Sequence, residues 1–419
     1  MLDKKAFTVL NALRETPGTS QREIAAASGL SLGTVNAAMK NVSEAGLVQN
    51  AALTDAGMTA LAPHKVENAV IMAAGLSSRF APISYEKPKG LLKVRGEVLI
   101  ERQIEQLLEA GITDITVVVG YKKEYFFYLR QKYGVTIVNN DEYASRNNNG
   151  SLYRVREKLG NTYVCSSDDY FTENPFEPYV YKAYYSAQYA AGDTKEWCIT
   201  TGAQDRITKV VVGGSNSWYM LGHVYFDHAF SNRFVEILER EYDKPETVDK
   251  LWEDLYIDHI KELDMTMRPY PAGVINEFDS LDELRAFDPH FLENVDSEIF
   301  DNITEILGCT KAEIHDVYPL KQGLTNLSCH FATNDGEYVY RHPGVGTELL
   351  VNRRSEYTAL KKAKELGLDD TFIHEDPEQG WKISKFVSNA KQPDPHNAAQ
   401  MAQMMKICRA LHESGAQVE

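Results

Sequence analysis

The chain has 419 residues, 43% hydrophobic and 25% charged, the balance of a soluble folded protein and too long for one ordinary domain. A formal charge of −16 argues against a protein that coats nucleic acid along its whole length, and leaves room for one small DNA-binding module. Five scattered cysteines with no CxxC pair give no zinc site, and the charged start MLDKKAFTVL is not a signal peptide, so a cytoplasmic chain without membrane spans is expected.

Residues 1–64 read as helices. The segments KKAFTVLNALRET, SQREIAAASG and SLGTVNAAMKNVSEAGLV have Ser20 and Ser31 as N-caps and Gly29 at a tight inter-helix turn. GLVQNAALTDAGMTAL then supplies a short hairpin and a closing helix. Helix, glycine turn, helix is the pattern of a helix-turn-helix. The candidate recognition helix carries only Lys40 as a cation beside Ser31, Asn36 and Asn41, a thin electrostatic basis for holding phosphates. A three-helix bundle for dimerisation or for sensing therefore stays open beside DNA binding.

Residues 65–289 alternate strands (NAVIMAAG, DITVVVG, VTIVNN, NTYVCSS, YMLGHVYFD) with amphipathic helices such as LIERQIEQLLEAG. Continuous Val/Ile runs between such helices predict an α/β, Rossmann-like domain with a mainly parallel sheet buried on both faces. Residues 290–419 turn to an acidic helix pair, a β-rich stretch and another helix, a partial α+β segment.

In open α/β sheets ligands lie beyond the carboxyl ends of strands, so the loop after the first strand is the expected phosphate site. There Ala73, Ala74 and Gly75 let an anion approach the backbone, Ser77 and Ser78 add polar groups, and Arg79 and Lys89 add charge. The loop matches neither GxGxxG nor the P-loop. Its G-x(3)-R…P-K pattern resembles that of nucleotidyltransferases that join an NTP to a phosphate ester. A lysine directly after Pro88 in such a loop is expected to do more than dissolve the surface.

The segments SYEKPKGLLKVRGEVLIERQIEQLLEAGI, VVVGYKKE, YGVTIVNNDEYASRNNNGSLY and NTYVCSSDDYF resemble the LicC-type CTP:phosphocholine cytidylyltransferases over nearly all of 66–288. The resemblance implies that CTP and phosphocholine give CDP-choline and pyrophosphate with Mg²⁺. It casts Arg79 and Lys89 as the catalytic cations and Asp168 as a metal ligand. Asp279, at a strand end ahead of a helix, is the second candidate ligand, although it or Ser280 could instead cap that helix. Asp258 is a weaker candidate because it reads as a helical surface residue. For the nucleotide the candidates are the loop residues Ala73, Ala74, Gly75, Ser77 and Ser78 for the phosphates and, carried over from the resemblance, Asn147, Asn148 and Ser151 for cytidine. For the choline ammonium the resemblance points to Glu196 and Trp197, and Tyr170, Trp218, Tyr219 and Trp252 are further aromatics that could close a cage. Phosphoethanolamine or 2-aminoethylphosphonate as acceptor, and a regulator that only senses CTP or CDP-choline, remain open.

The terminal segments have resemblances of their own. Residues 1–64 are similar to winged-helix regulators of the MarR kind, which makes DNA a partner and a homodimer an expectation. YPLKQGLTNLSCHFATNDGEYVYRHPGVG…NRRSEY…GWKISKFV resembles the N-lobe of LicA-type choline kinases, with Arg341 as the phosphate-binding cation and Glu356 as its helix partner. The given chain stops before a catalytic Asp/Asn loop, so this region is expected to be a kinase fragment without activity.

Overall fold

The computed structural model describes residues 2–320, 326–344 and 346–417. The chain clusters into two compact units, Met1–Gly75 with Leu99–Glu277 and Leu76–Val98 with Phe278–Glu419. No described helix is long and apolar enough to cross a membrane.

The first unit begins with helices Lys4–Glu15, Gln21–Ser28 and Leu32–Glu44. Ser20 caps the second through a reciprocal box with Glu23, and Gly29 ends it at φ 68°, the left-handed turn that glycine allows. Ser31 caps the third. Strands β1 (Val48–Gln49) and β2 (Ala52–Leu53) form the wing, and helix Asp55–Leu61 closes it. Phe7, Leu10, Leu13, Ile24, Val35, Val42 and Leu61 make the core. An aromatic strap ties this module to the larger domain of the same unit. Phe7 packs on His64 (5.0 Å) and Tyr181 (5.5 Å), His64 stacks on Tyr181, and the Arg14 guanidinium lies 4.4 Å from the Tyr179 ring.

The larger part of this unit is one seven-stranded sheet. Its members are β3 (Asn68–Ala73), β4 (Ile115–Val119), β5 (Thr136–Asn139), β6 (Thr162–Ser166), β8 (Tyr184–Thr201), β9 (Ile207–Phe226) and β10 (Thr266–Pro269), while β7 (Tyr170–Phe171) pairs separately with β11 (Ile275–Asn276). The order is β10-β8-β9-β6-β3-β4-β5. Four neighbouring pairs are parallel, and β9 runs antiparallel to both β8 and β6. The β-branched runs of β3 and β4 are buried, as expected of strands covered on both faces. Helix Leu99–Glu109 turns Ile100, Ile104 and Leu107 inward at helical spacing. The expected strand YMLGHVYFD is the end of β9, which begins earlier than that stretch and forms with β8 a long, bulged hairpin. Irregular pairing and many exposed polar residues hid that hairpin from periodicity.

In the second unit, residues 76–98 hold three short turns and a two-stranded ladder, Lys93–Val94 with Glu97–Val98. Helices Leu281–Phe287, Phe291–Asn294 and Glu298–Leu307 lead to an antiparallel five-stranded sheet of β12 (His315–Leu320), β13 (Leu327–Thr333), β14 (Gly336–His342), β15 (Phe372–Glu375) and β16 (Lys382–Lys385), in the order β12-β13-β14-β16-β15. Most of the QGLTN motif, Gln322 to Thr325, lies outside the described residues.

Candidate active site

Strand β3 delivers its buried Ala73 and Ala74 to the carboxyl end of the sheet, where the Ala74 carbonyl accepts the Tyr121 N–H at 3.1 Å. Gly75 comes next, exposed, and a Cβ added there would meet nothing within 4 Å. Among the described residues nothing crowds this position, so the backbone here is open to close approach. By contrast, Gly120 at the end of the adjoining β4 is a packing glycine, since a Cβ there would stand 2.6 Å from Tyr143 and 2.9 Å from the Ala74 carbonyl oxygen.

On the same sheet β6 ends at Ser166, and Ser167 N–H bonds to Met72 O at 3.0 Å. Asp168 comes next, half-buried, while its neighbour Asp169 is 1% exposed. The buried Gln103 amide ties this turn down by donating to the carbonyls of Ser166 and Asp169, both at 2.8 Å. A half-exposed carboxylate on a pinned turn could serve as one hard oxygen ligand for a cation that phosphate oxygens also hold.

The loop Asn147–Asn148–Asn149 spends its amides on the chain. Asn147 Nδ2 donates to Asp249 O at 2.9 Å and its Oδ1 accepts the Asn148 N–H at 2.8 Å. Asn148 Oδ1 accepts the Trp252 N–H at 2.7 Å and its Nδ2 donates to Glu253 at 3.2 Å. Asn149, fully buried, donates to the Thr247 and Lys250 carbonyls. Ser151 Oγ accepts from Asn140 at 3.2 Å, and Gly150 leaves room for the Arg146 side chain, which lies 3.0 Å from where a Cβ would be. Glu253 also accepts from Tyr185 OH at 3.4 Å, and burial pushes its carboxyl up to about 7. The sequence gives no motif for Glu253; its role emerges only from the neighbour it holds.

Trp197 and Trp218, both half-buried on the long hairpin, pack against the same apolar cluster, and Trp218 meets Tyr189 edge-on at 5.5 Å. Burial, Glu196 and Glu277 all push the Tyr219 hydroxyl up, which places two carboxylates in the electrostatic neighbourhood of an aromatic stretch. Tyr170 is buried with the Arg102 guanidinium 4.6 Å from its ring. Trp252 is core, stacked on Tyr185 and edge-on to Phe226. Asp258 ends helix Trp252–Asp258 and pairs with Lys250 at 2.7 Å, a surface ion pair.

In the second unit the two loop cations differ sharply. Lys89, on the turn Lys89–Leu91, is only 7% exposed; its ammonium donates to Phe278 O and lies 4.7 Å from the Phe80 ring. Arg79 is 71% exposed in its side chain and pairs with Asp279 Oδ1 at 2.7 Å. Ser77, at φ 51°, and Ser78 open the turn that carries Arg79. Ser280 proves to be the cap of helix Leu281–Phe287, accepting from Glu283 N–H at 3.2 Å, which leaves the Asp279 carboxylate for other partners. Arg79, Asp279, Ser280 and Asp282 also line a cavity of about 640 Å³ with Asp316, Tyr318, His330 and Glu337.

Residues 69–191 match the MobA-like NTP transferase domain, and residues 2–49 match a winged helix-turn-helix DNA-binding model. The choline-phosphate cytidylyltransferase of Streptococcus pneumoniae is 38% identical over 217 residues, covering 52% of this chain and 95% of that one. The 2-aminoethylphosphonate cytidylyltransferase of Lancefieldella rimae is 37% identical over 225 residues, covering 53% and 92%. A solved structure of CTP:phosphocholine cytidylyltransferase from Streptococcus pneumoniae aligns with a TM-score of 0.52 at 37% identity, covering 53% of this chain and 97% of that one.

Proposed function

This chain belongs to the LicC-type cytidylyltransferase family, and from that premise we propose that it transfers the cytidylyl group of CTP to phosphocholine, forming CDP-choline and releasing pyrophosphate. The observation that carries the reading is the loop after β3: an open glycine, an exposed arginine and a lysine withdrawn to 7% exposure. A surface lysine would be hydrated; one held among Phe80 and Phe278 is set in place before substrate arrives.

An oxygen of the phosphocholine phosphate attacks the α-phosphorus of CTP, and the bond from that phosphorus to the β-bridging oxygen breaks as pyrophosphate leaves. Positioning and charge neutralisation do most of the work. Arg79 binds the departing β and γ phosphates, and Lys89 neutralises the charge that gathers on the α-phosphate. Asp168 and Asp279 are the proposed holders of Mg²⁺, which supplies charge to the triphosphate oxygens when bound. For Asp279 this means exchanging its bond to Arg79, leaving that guanidinium for phosphate. The backbone of Ala73, Ala74 and Gly75 with Ser77 and Ser78 cradles the phosphates, and Asn147, Asn148 and Ser151 shape the cytidine site. Glu196, Trp197, Trp218 and Tyr170 are assigned to the ammonium; Trp197 and Trp218 fit through their half-buried faces, Tyr170 less readily, since Arg102 already covers its ring.

A second acceptor has specific support, because the 2-aminoethylphosphonate relative is 37% identical against 38% for the choline-phosphate one. Pyrophosphate release from CTP, measured with phosphocholine, phosphoethanolamine and 2-aminoethylphosphonate in turn, decides. Fastest turnover with phosphocholine supports the reading; turnover with another acceptor alone removes it.

Residues 1–64 are proposed to bind DNA as a homodimer in the cytoplasm. Their five Lys/Arg against five Asp/Glu predict weak, salt-sensitive binding, checked by fluorescence anisotropy across a salt series. Residues 290–419 are proposed to be the N-lobe of a choline kinase, a reading supported by the Arg341–Glu356 pair.

A further inference from the structure

Asn149 is buried and the exposed Asn147 is tied to main-chain groups alone, whereas half-buried Asn148 is held by a side chain as well and stays within reach of a ligand. Its oxygen takes the Trp252 N–H and its nitrogen gives one N–H to Glu253. The second N–H of that amide is left to be used. From this geometry we infer that Glu253 is a positioning residue for nucleotide choice: its carboxylate, together with the Trp252 N–H, decides which end of the Asn148 amide is nitrogen, and so makes a donor the group offered to the pyrimidine. The inference rests on the reading that this loop receives the base of CTP.

A donor discriminates at ring position 3, where cytosine presents a lone pair and uracil an N–H. An amide turned the other way would present its oxygen and favour uracil. Turning it here would set nitrogen against the Trp252 N–H and, above about pH 7 where Glu253 is ionised, oxygen against its carboxylate, two repulsive contacts in place of two bonds. The carboxylate is itself steadied. It accepts from Tyr185 OH, and the Tyr185 ring stacks on Trp252 with centroids 5.9 Å apart and planes 11° from parallel. Trp252 is buried against Phe226 and Phe234, so the core of the domain sets the orientation of a half-exposed amide.

The test compares kcat/KM for CTP and UTP in the full chain. Glu253→Leu removes the acceptor and is expected to cut the preference for CTP about tenfold, through KM for CTP, with kcat within about threefold, as one hydrogen bond to a charged group allows. Glu253→Gln keeps an acceptor oxygen and restores most of the preference. Asn148→Ala loses the same preference, and the double variant Asn148→Ala/Glu253→Leu loses no more than either alone, because both act through one amide. If Glu253→Leu does not fold, Glu253→Asp, which retracts the acceptor, takes its place. An unchanged preference without the acceptor, additive losses in the double variant, or Glu253→Gln behaving like Glu253→Leu overturns the inference. A wild-type enzyme indifferent to CTP and UTP is a separate failure, of the loop's assignment to the base.

Discussion

In the first unit's sheet the central strands β3, β4 and β6 are apolar inside, and the residues with chemistry to offer, Asp168 and the Gly75 loop, come just past the strand ends. The second unit's sheet instead carries Arg341 within strand β14, where Glu356 and the fully buried Glu375 grip it and the Gly380 carbonyl accepts at 3.1 Å. Burial and the neighbouring Glu356 push the Glu375 carboxyl up, whereas Arg341 and Arg353 hold Glu356 down against the opposing effect of its own burial. A guanidinium so enclosed would have to abandon two carboxylates to meet a phosphate. Arg79, exposed and tied to a single exposed carboxylate, has far less to give up. An arginine within a strand and gripped by two carboxylates is thus held more firmly than one in an exposed turn with a single partner.

The largest effect should come from the buried turn lysine and the strand-end aspartate. Lys89→Ala and Asp168→Ala are each expected to lower kcat about a thousandfold or more. Circular dichroism should show both still folded, and wild-type rates from either would break the contrast. Chelation of divalent cations should stop turnover just as fully, with Mg²⁺ restoring it; undiminished rates in chelator would remove the metal role of Asp168. The mid-strand arginine should behave oppositely. Arg341→Met leaves two buried carboxylates uncompensated and should destabilise the second unit by about 3–5 kcal/mol in denaturant titration. Cytidylyl transfer per folded molecule should stay near wild type.

Glu253 sharpens the comparison within the first unit, because burial has lifted its carboxyl while Asn148 and Tyr185 hold its charged form and Asp254 opposes it. A carboxyl raised in the folded state contributes its stability below the unfolded value of 4.5, and that contribution is lost as pH climbs through about 7. Glu253→Gln does not titrate, so its stability relative to wild type should rise by about 1–2 kcal/mol between pH 5 and pH 8. A difference flat with pH would show an ordinary carboxylate. The smallest change belongs to the exposed pair: Asp279→Asn should move stability by less than about 0.5 kcal/mol, since exposed ion pairs contribute little.

Much of this was legible in the residues. Val/Ile runs between amphipathic helices announced the sheet, Ser20, Gly29 and Ser31 announced the winged helix, and Pro88-Lys89 marked a lysine that the fold does withdraw from water. Ser280 and Asp279 could not be told apart by spacing, because either can cap a helix; only the bond to Glu283 N–H separates them. Glu253 was invisible for a different reason. Its importance comes from Asn148, a partner far away in sequence, and no local pattern encodes such a meeting. Nor does any composition shift reveal that residues 76–98 cluster with the C-terminal segment.

The contact of Phe7, His64 and Tyr181 has a practical consequence for anyone dissecting the chain. Excising residues 1–62 to obtain a shorter enzyme would bare Tyr179 and Tyr181 to water and strip His64 of its apolar neighbour. Such a truncate should precipitate more readily than the parent, unless those tyrosines are first exchanged for polar side chains.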